Sequence, residues 1–513
     1  MRRIQKRGMD MAKTRERIYL AQEIACLLIV LLVCLGRFAN NPVFGQVSSD
    51  NGIFMCMGRG MAQGLRPYVD ITENKGPLFF LLMMVPQLIV EGTAGVYVLE
   101  LLITLGGCVL ILRMARWLMG ERRNLLCAAI PIWVYVQNVG ANYCEEYDLF
   151  FLLAGVAAMV HACTGQTAGA RLRAFWLGVS AGAVALIKIS DILGLGVTAL
   201  FYAGYVIKTK RCFWKEALGF FAGIAAVALP VFGYLWRVDA VGPMFTEYIL
   251  NNFVHVGTAK NVDFWEMRLY LITHSYGWAS LKPVLYTAGA LAVRLLLRRK
   301  AAVARESMLL AYTAALMAAN LLVGYIAGTG FFQHLMMEIA STVLAALLAL
   351  SAALCALSAW KPRLARAQSA AALAMAVLIA VPAARAFTPE NVAAKREEQE
   401  AFAAFQRELL PELEDCADSV YSIGVTAEWY WYTGLQPAYK YYNVIGFVTD
   451  NVGADLEHDF ETFLMENEIQ ALLLGRDPEA YRGILTDDTI DYIGENYQLA
   501  VQDSEGRRLM RLI

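Results

Sequence analysis

The sequence predicts an α-helical multi-pass membrane protein of about eleven transmembrane helices, followed by a small C-terminal α/β domain outside the membrane. Three observations predict this. Of 513 residues, 58% are hydrophobic and the mean hydropathy is +0.47, whereas soluble domains are roughly 45–50% apolar. Apolar runs near the ~20 residues that cross a bilayer recur as far as residue 387. Lysine and arginine clusters alternate with those runs, so that a single topology places every cluster on one side.

The first run, Ile18 to Gly36, follows Arg2, Arg3, Lys6, Arg7, Lys13, Arg15 and Arg17. Its length, and the lack of a small-residue cleavage site after it, favour an uncleaved first span over a signal peptide. The candidate spans are 18–37, 95–113, 124–142, 148–164, 174–188, 191–207, 215–235, 280–298, 306–327, 335–358 and 368–387. With the N-terminus in the cytoplasm, the clusters Arg113–Arg123, Arg171–Arg173, Lys208–Lys215, Arg294–Arg305 and Lys361–Arg366 all fall inside, as the positive-inside bias expects. Leu78–Val90 is then too short and on the wrong count for a span. It reads as a juxtamembrane or re-entrant helix on the outer face, started by Gly76-Pro77 because proline suits a first helical turn.

Residues 1–388 thus form a membrane domain with two outer loops, 38–94 and 238–279, and residues 389–513 an extracytoplasmic α/β domain. The second loop interleaves aromatic and apolar residues with few charges, which suits the membrane interface. After Pro389 the chain is charged and helix-friendly over Lys395–Leu410. Strand-like runs follow at Ser419–Val425, Ile469–Leu474, Gln498–Gln502 and Arg508–Ile513, with a helix over 455–468.

Composition excludes several classes. The net charge of −1 says nothing about partners by itself, but the distribution of charge around the apolar runs does: the bilayer is the expected partner, and no nucleic acid is expected. The ten cysteines form no CxxC pair and the five histidines have no finger spacing, which argues against a structural zinc site. No GxGxxG, Walker loop or nucleophile elbow is present. No cofactor is indicated, and nothing in the sequence decides for or against a divalent metal.

The residues that carry chemistry gather on the outer side. Asp50 follows the first span, where a carboxylate can take a proton from an attacking hydroxyl. The plainer reading is a loop aspartate capping the next helix. Glu145 and Glu146 follow the third span, with Asp148 just after, and could equally serve as N-terminal helix charges. Asp70 and the run Glu73-Asn74-Lys75-Gly76-Pro77 put carboxylates and a lysine where a phosphate-linked lipid would arrive. Lys188 lies between two apolar stretches, where an ionisable residue is expensive unless paired; a lipid phosphate and Asp191 are the two candidate partners. His334 opens the tenth span and could contact phosphate or sugar, or simply anchor the helix.

Taken together, these residues resemble the integral-membrane C-type (GT-C fold) glycosyltransferases, bacterial relatives of the protein O-mannosyltransferases and of the lipid A aminoarabinose transferase. The resemblance rests on Asp50-Asn51, the Gly58–Gly64 segment, Pro67-Tyr68-Val69-Asp70, Glu73-Asn74-Lys75-Gly76-Pro77, Glu145-Glu146-Tyr147 and Phe332-Gln333-His334-Leu335. It implies a polyprenyl-phosphate-linked sugar as donor and a hydroxyl on an extracytoplasmic glycan, lipid or protein as acceptor, at the plasma membrane. Asp50 would be the base of an inverting transfer and Glu145 or Glu146 a second acidic group. Asp70, Lys75, Lys188 and His334 would bind substrate, and no residue is assigned as a metal ligand. Two other classes compete, a transporter or flippase of lipid-linked sugars and a non-catalytic scaffold with an outer sensing domain. The outer charges at span ends, and the lack of an internal repeat, weigh against the transporter.

Overall fold

The computed structural model describes residues 20–35, 39–119, 128–165, 172–253, 277–296, 306–326, 332–360, 388–397 and 411–513, apart from short gaps, the longest at 443–453. The expected span 368–387 and most of the loop 238–279 lie outside the described residues, as does the start of the first span. The chain forms two compact units. One comprises Met1–Phe38, Leu99–Ala228 and Val262–Thr388, the other Ala39–Val98, Leu229–Asn261 and Pro389–Ile513.

Among the described residues five helices are long and apolar enough to cross a membrane: Thr93–Met119, Cys144–Cys163, Ile189–Lys208, Phe213–Arg237 and Glu306–Gly324. Arg173–Ile187, Val284–Leu296 and Glu338–Leu354 are apolar but shorter. The helices used below are α1 (Ser49–Ala62), α2 (Pro77–Ile89), α3 (Thr93–Met119), α4 (Ala129–Val136), α5 (Cys144–Cys163), α6 (Arg173–Ile187), α7 (Leu193–Lys208) and α8 (Phe213–Arg237). The apolar stretch 124–142 ends earlier than expected, since its described part, α4, closes at Gln137; residues 124–127 lie outside the described residues. Gly140 at φ +113° and Asn142 at φ +60° turn the chain out of helical geometry, as residues tolerant of positive φ allow.

In the first unit α5 is the interior helix, with 83% of its apolar window buried against 17% for α8. A helix so enclosed by protein can carry polar residues that a lipid-facing one could not. Gly155 sits where a Cβ would stand 2.6 Å from Leu195 of α7. Helices α6 and α8 meet through small residues. A Cβ on Gly178 would lie 1.9 Å from the Phe220 carbonyl oxygen, and one on Gly223 would lie 2.1 Å from that of Phe175. Gly178-x-x-x-Gly182 faces Gly219-x-x-x-Gly223, the spacing that lets helix backbones approach in a membrane. Gly178→Ala is therefore expected to lower stability by ~1–3 kcal/mol through overpacking. Gly289→Ala, whose Cβ meets nothing within 4 Å, should be neutral; thermal unfolding in detergent compares the two.

The second unit is built from Ala39–Val98, Leu229–Asn261 and the C-terminal segment Pro389–Ile513. Helix α2 begins as the sequence suggests, with Gly76 extended at φ −79°, ψ 156° before Pro77. It runs close to α1, because a Cβ on Gly58 would stand 2.7 Å from the Met83 backbone. The C-terminal strands β1 (Val420–Ile423), β2 (Ala471–Leu474), β3 (Tyr497–Gln502) and β4 (Arg508–Leu512) form one sheet in the order β1-β2-β4-β3. β1 pairs parallel with β2, and β3 and β4 form a hairpin. Tyr421, Phe460, Leu464, Leu472, Ile490 and Ile493 fill its core.

Candidate active site

The second unit holds the first-loop residues. Asp50 stands half-buried in the first turn of α1, where the exposed backbone N–H groups favour a negative charge. Its neighbour Asn51 is fully buried and exchanges side-chain amide hydrogen bonds with Asn40, Nδ2 donating to Oδ1 at 2.8 Å. That pairing fixes the start of the helix from the N-terminal side.

Tyr68 organises the rest of the loop. It adopts φ +66°, a left-handed conformation that costs a bulky residue about 1–3 kcal/mol. The strain is held by a Tyr68 N–H bond to the Ile71 carbonyl at 2.8 Å and by its buried hydroxyl, which donates to the Lys75 carbonyl at 2.7 Å. Pro-Tyr-x-Asp is thus tied to the Glu-Asn-Lys-Gly-Pro run by its own tyrosine. The Lys75 ammonium is 3.3 Å from Glu73, contacts the Asn74 side-chain oxygen and lies 5.9 Å from the centre of the Phe54 ring. A cation paired to a carboxylate two residues away is oriented, yet its side chain keeps 17% exposure.

Asp70 is engaged locally. Its oxygens accept from Arg66 Nη2 at 2.8 Å, from Nε at 3.0 Å and from the Arg66 backbone at 2.8 Å. The Arg66 hydrogen bonds hold the Asp70 carboxyl below its usual range. A carboxylate depressed in the folded chain stabilises the turn above its unfolded pKa, and that contribution is lost as pH falls through the folded value. Amide protection in residues 66–71, measured relative to the intrinsic exchange rate at each pH, is expected to fall on acidification below the usual aspartate range, and Asp70→Asn should already show low protection at neutral pH. With the Arg66 and Asp70 side chains still 45% and 31% exposed, solvent screens the pair and global stability should barely move.

Sequence reasoning did not find Glu247. It sits in a π-helical turn, Phe245–Leu250, and accepts from Lys440 at 3.1 Å and from the Tyr441 hydroxyl at 2.7 Å. No local pattern could have revealed a pairing 193 residues apart.

The first unit holds the acidic cluster. The loop leaving α4 turns back at Asn142, whose side chain accepts from the Tyr147 hydroxyl at 2.8 Å. Glu146 closes that loop: one oxygen accepts from Gly140 N at 2.7 Å, the other from Ala141 N at 2.8 Å and Tyr143 N at 3.2 Å. Its position three residues into the helix is the signal for this N-terminal role.

Glu145 points elsewhere. It accepts from Lys188 Nζ at 2.5 Å and from the Cys144 thiol at 3.1 Å. Lys188 leaves the end of α6 in an extended conformation and also lies 3.9 Å from Asp191. Asp191, fully buried, accepts from Ser190 at 3.1 Å and meets the carboxyl of Asp148. Neither Asp148 oxygen accepts from an N–H or hydroxyl donor among the described residues. The structure therefore joins Glu145 to Lys188 and adds Asp148 and Asp191, leaving one ammonium among three buried carboxyl groups. Such a cluster has acceptor capacity that its own donors do not use, and sugar hydroxyls supply donors. His334 falls in the short 3-10 turn Phe332–Leu335, but its side chain lies outside the described residues. Among the described residues no three His, Cys, Asp or Glu side chains are placed to hold a metal ion.

No protein-family model and no curated protein matches the sequence. Solved structures do. ArnT of Cupriavidus metallidurans bound to undecaprenyl phosphate superposes with a TM-score of 0.59 at 15% identity, over 96% of this chain and 97% of that one. The chain has the fold of the C-type glycosyltransferases. The same ArnT in its apo state gives a TM-score of 0.60, again at 15% identity, over 96% of this chain and 98% of that one. A C-type fold with these apolar helices makes the chain a membrane protein. Identity this low establishes the architecture and leaves the chemistry to the residues.

Proposed function

We propose that the protein moves a sugar from a polyprenyl-phosphate donor to a hydroxyl of an extracytoplasmic acceptor, with inversion at the anomeric carbon. The observation that carries this reading is the buried Glu145–Lys188 pair with Asp148 and Asp191, set in a fold whose solved representative holds undecaprenyl phosphate. A membrane protein rarely encloses such groups without using them.

In this reading Asp50 accepts the proton of the acceptor hydroxyl as its oxygen attacks the anomeric carbon. The bond from that carbon to the phosphate oxygen breaks, and the polyprenyl phosphate leaves with the electron pair. Cations that meet the departing phosphate lower the barrier; Lys75 and Lys188 take that role, and His334 is a further phosphate contact. Glu145 accepts hydroxyls of the sugar and keeps Lys188 oriented. Asp70 shapes the donor loop, and Glu146 holds the 140–143 turn. An oxocarbenium-like transition state is usual for glycosyl transfer and needs no nucleotide.

Proteoliposomes loaded with radiolabelled polyprenyl-phosphate sugars test the reading against the transporter. Label moving from the lipid onto an added acceptor supports the transferase. Label crossing the bilayer while still on its lipid, with no product, would overturn it.

A further inference from the structure

The face of α1 that follows Asp50 is covered by one stretch of the C-terminal segment, residues 427–442. Gly52, Ile53, Cys56 and Arg59 form a stripe at helical spacing, and each meets that stretch. A Cβ on Gly52 would stand 2.5 Å from the Glu428 Cα, so backbone packs on backbone there. The Ile53 carbonyl accepts from the buried Tyr442 hydroxyl at 2.6 Å, and the Cys56 thiol donates to the Ala427 carbonyl at 3.5 Å.

Arg59 makes the firmest tie. Its guanidinium, in a residue only 5% exposed, donates to the carbonyls of Tyr430 at 2.7 Å, Trp431 at 2.9 Å and Leu435 at 3.1 Å. It also stands 5.1 Å from the centre of the Trp431 ring. The Tyr430 carbonyl already takes the Gly434 N–H that closes the short helix Glu428–Thr433, and the Trp431 carbonyl is among those of a last turn that a helix leaves without an i+4 donor. A cation at that end answers both the missing donors and the dipole. Lysine, with one compact ammonium, cannot serve three carbonyls in a fixed fork.

We infer that Arg59 and Tyr442 are positioning residues for the transfer, through which segment 427–442 fixes the placement of the Asp50 carboxylate. This rests on the reading of Asp50 as the base. The C-terminal segment then works as the back wall of the catalytic helix, where an independent outer module would leave turnover untouched.

The test compares Arg59→Lys and Tyr442→Phe in the full-length protein with Arg482→Gln, whose partners Glu479 and Asp487 lie on the surface. Misplacing a reacting group by about 1 Å costs roughly 100-fold, so kcat should fall roughly 10- to 100-fold in Arg59→Lys, less in Tyr442→Phe and not in Arg482→Gln. KM for the donor should stay within about threefold, because the change acts on orientation.

Cys56 gives a second readout that needs no turnover. Its thiol is free and buried, and burial pushes its pKa up to about 12, so maleimide should label it slowly. Labelling, located by peptide mapping, should quicken severalfold in Arg59→Lys and Tyr442→Phe and stay slow in Asp50→Asn. Unchanged kcat in both variants overturns the inference, whether or not Cys56 becomes reactive. A lowered yield of folded protein with normal kcat per folded molecule overturns it too. An inactive wild type would instead strike the transferase reading, while Cys56 labelling still decides whether the two residues hold the segment in place.

Discussion

Asp50→Asn should abolish sugar transfer while leaving the protein folded and still able to bind its donor. General-base catalysis is worth roughly 100- to 10,000-fold, so kcat should fall by at least the lower figure with donor KM nearly unchanged. The substitution is a clean one. Asparagine keeps the shape of aspartate, losing only the favourable first-turn charge, about 0.3–1 kcal/mol, and the neighbouring Asn51–Asn40 pair, which fixes the start of α1, is untouched. Thermal unfolding should therefore stay close to the wild type. A variant that retains full turnover removes Asp50 from the base role; one that unfolds early shows a structural role at the first turn of α1 to dominate.

Lys188→Met should be costly in a different way. Lys188 is the cation among Glu145, Asp148 and Asp191, all enclosed within the first unit. Removing one partner of a buried ion pair typically destabilises by ~3–5 kcal/mol because the remaining charge is left unanswered. Methionine fills similar volume, so the loss reflects charge more than a cavity. Adding Glu145→Gln should restore part of the stability, since one uncompensated carboxylate is then gone. Activity should stay lost in the double variant, because neither the cation nor the acidic acceptor is present. Thermal unfolding and turnover, measured on both variants, separate the structural role of the pair from its role in transfer. Recovered activity in the double variant would make the pair structural alone.

Local chemistry explains what the sequence disclosed. Gly76-Pro77 announced the start of α2, and the four C-terminal strand runs came out as strands within a residue or two. The first-loop and second-loop motifs carried the resemblance that the C-type fold bears out. Less visible was whatever depends on distance along the chain. Glu145 and Lys188 are 43 residues apart, and Arg59 and Tyr430 are 371 apart; no periodicity links them. Hydropathy carried the stretch 124–142 past Gln137, where its described helix closes, because it ignores backbone geometry: Gly140 and Asn142 take positive φ. One signal was read in part, as an N-terminal helix charge, and another was unread. Glu146 at the third helical position marked a loop-closing acid, and Gly178-x-x-x-Gly182 with Gly219-x-x-x-Gly223 marked a close helix crossing.

The most direct measurement is the release of polyprenyl phosphate when purified, detergent-solubilised protein is incubated with a panel of polyprenyl-phosphate sugars and candidate acceptors. The account predicts time-dependent release with at least one donor, matched by sugar appearing on an acceptor and absent with Asp50→Asn. Release that persists undiminished in Asp50→Asn, or none from any donor while the lipid still binds, would contradict it.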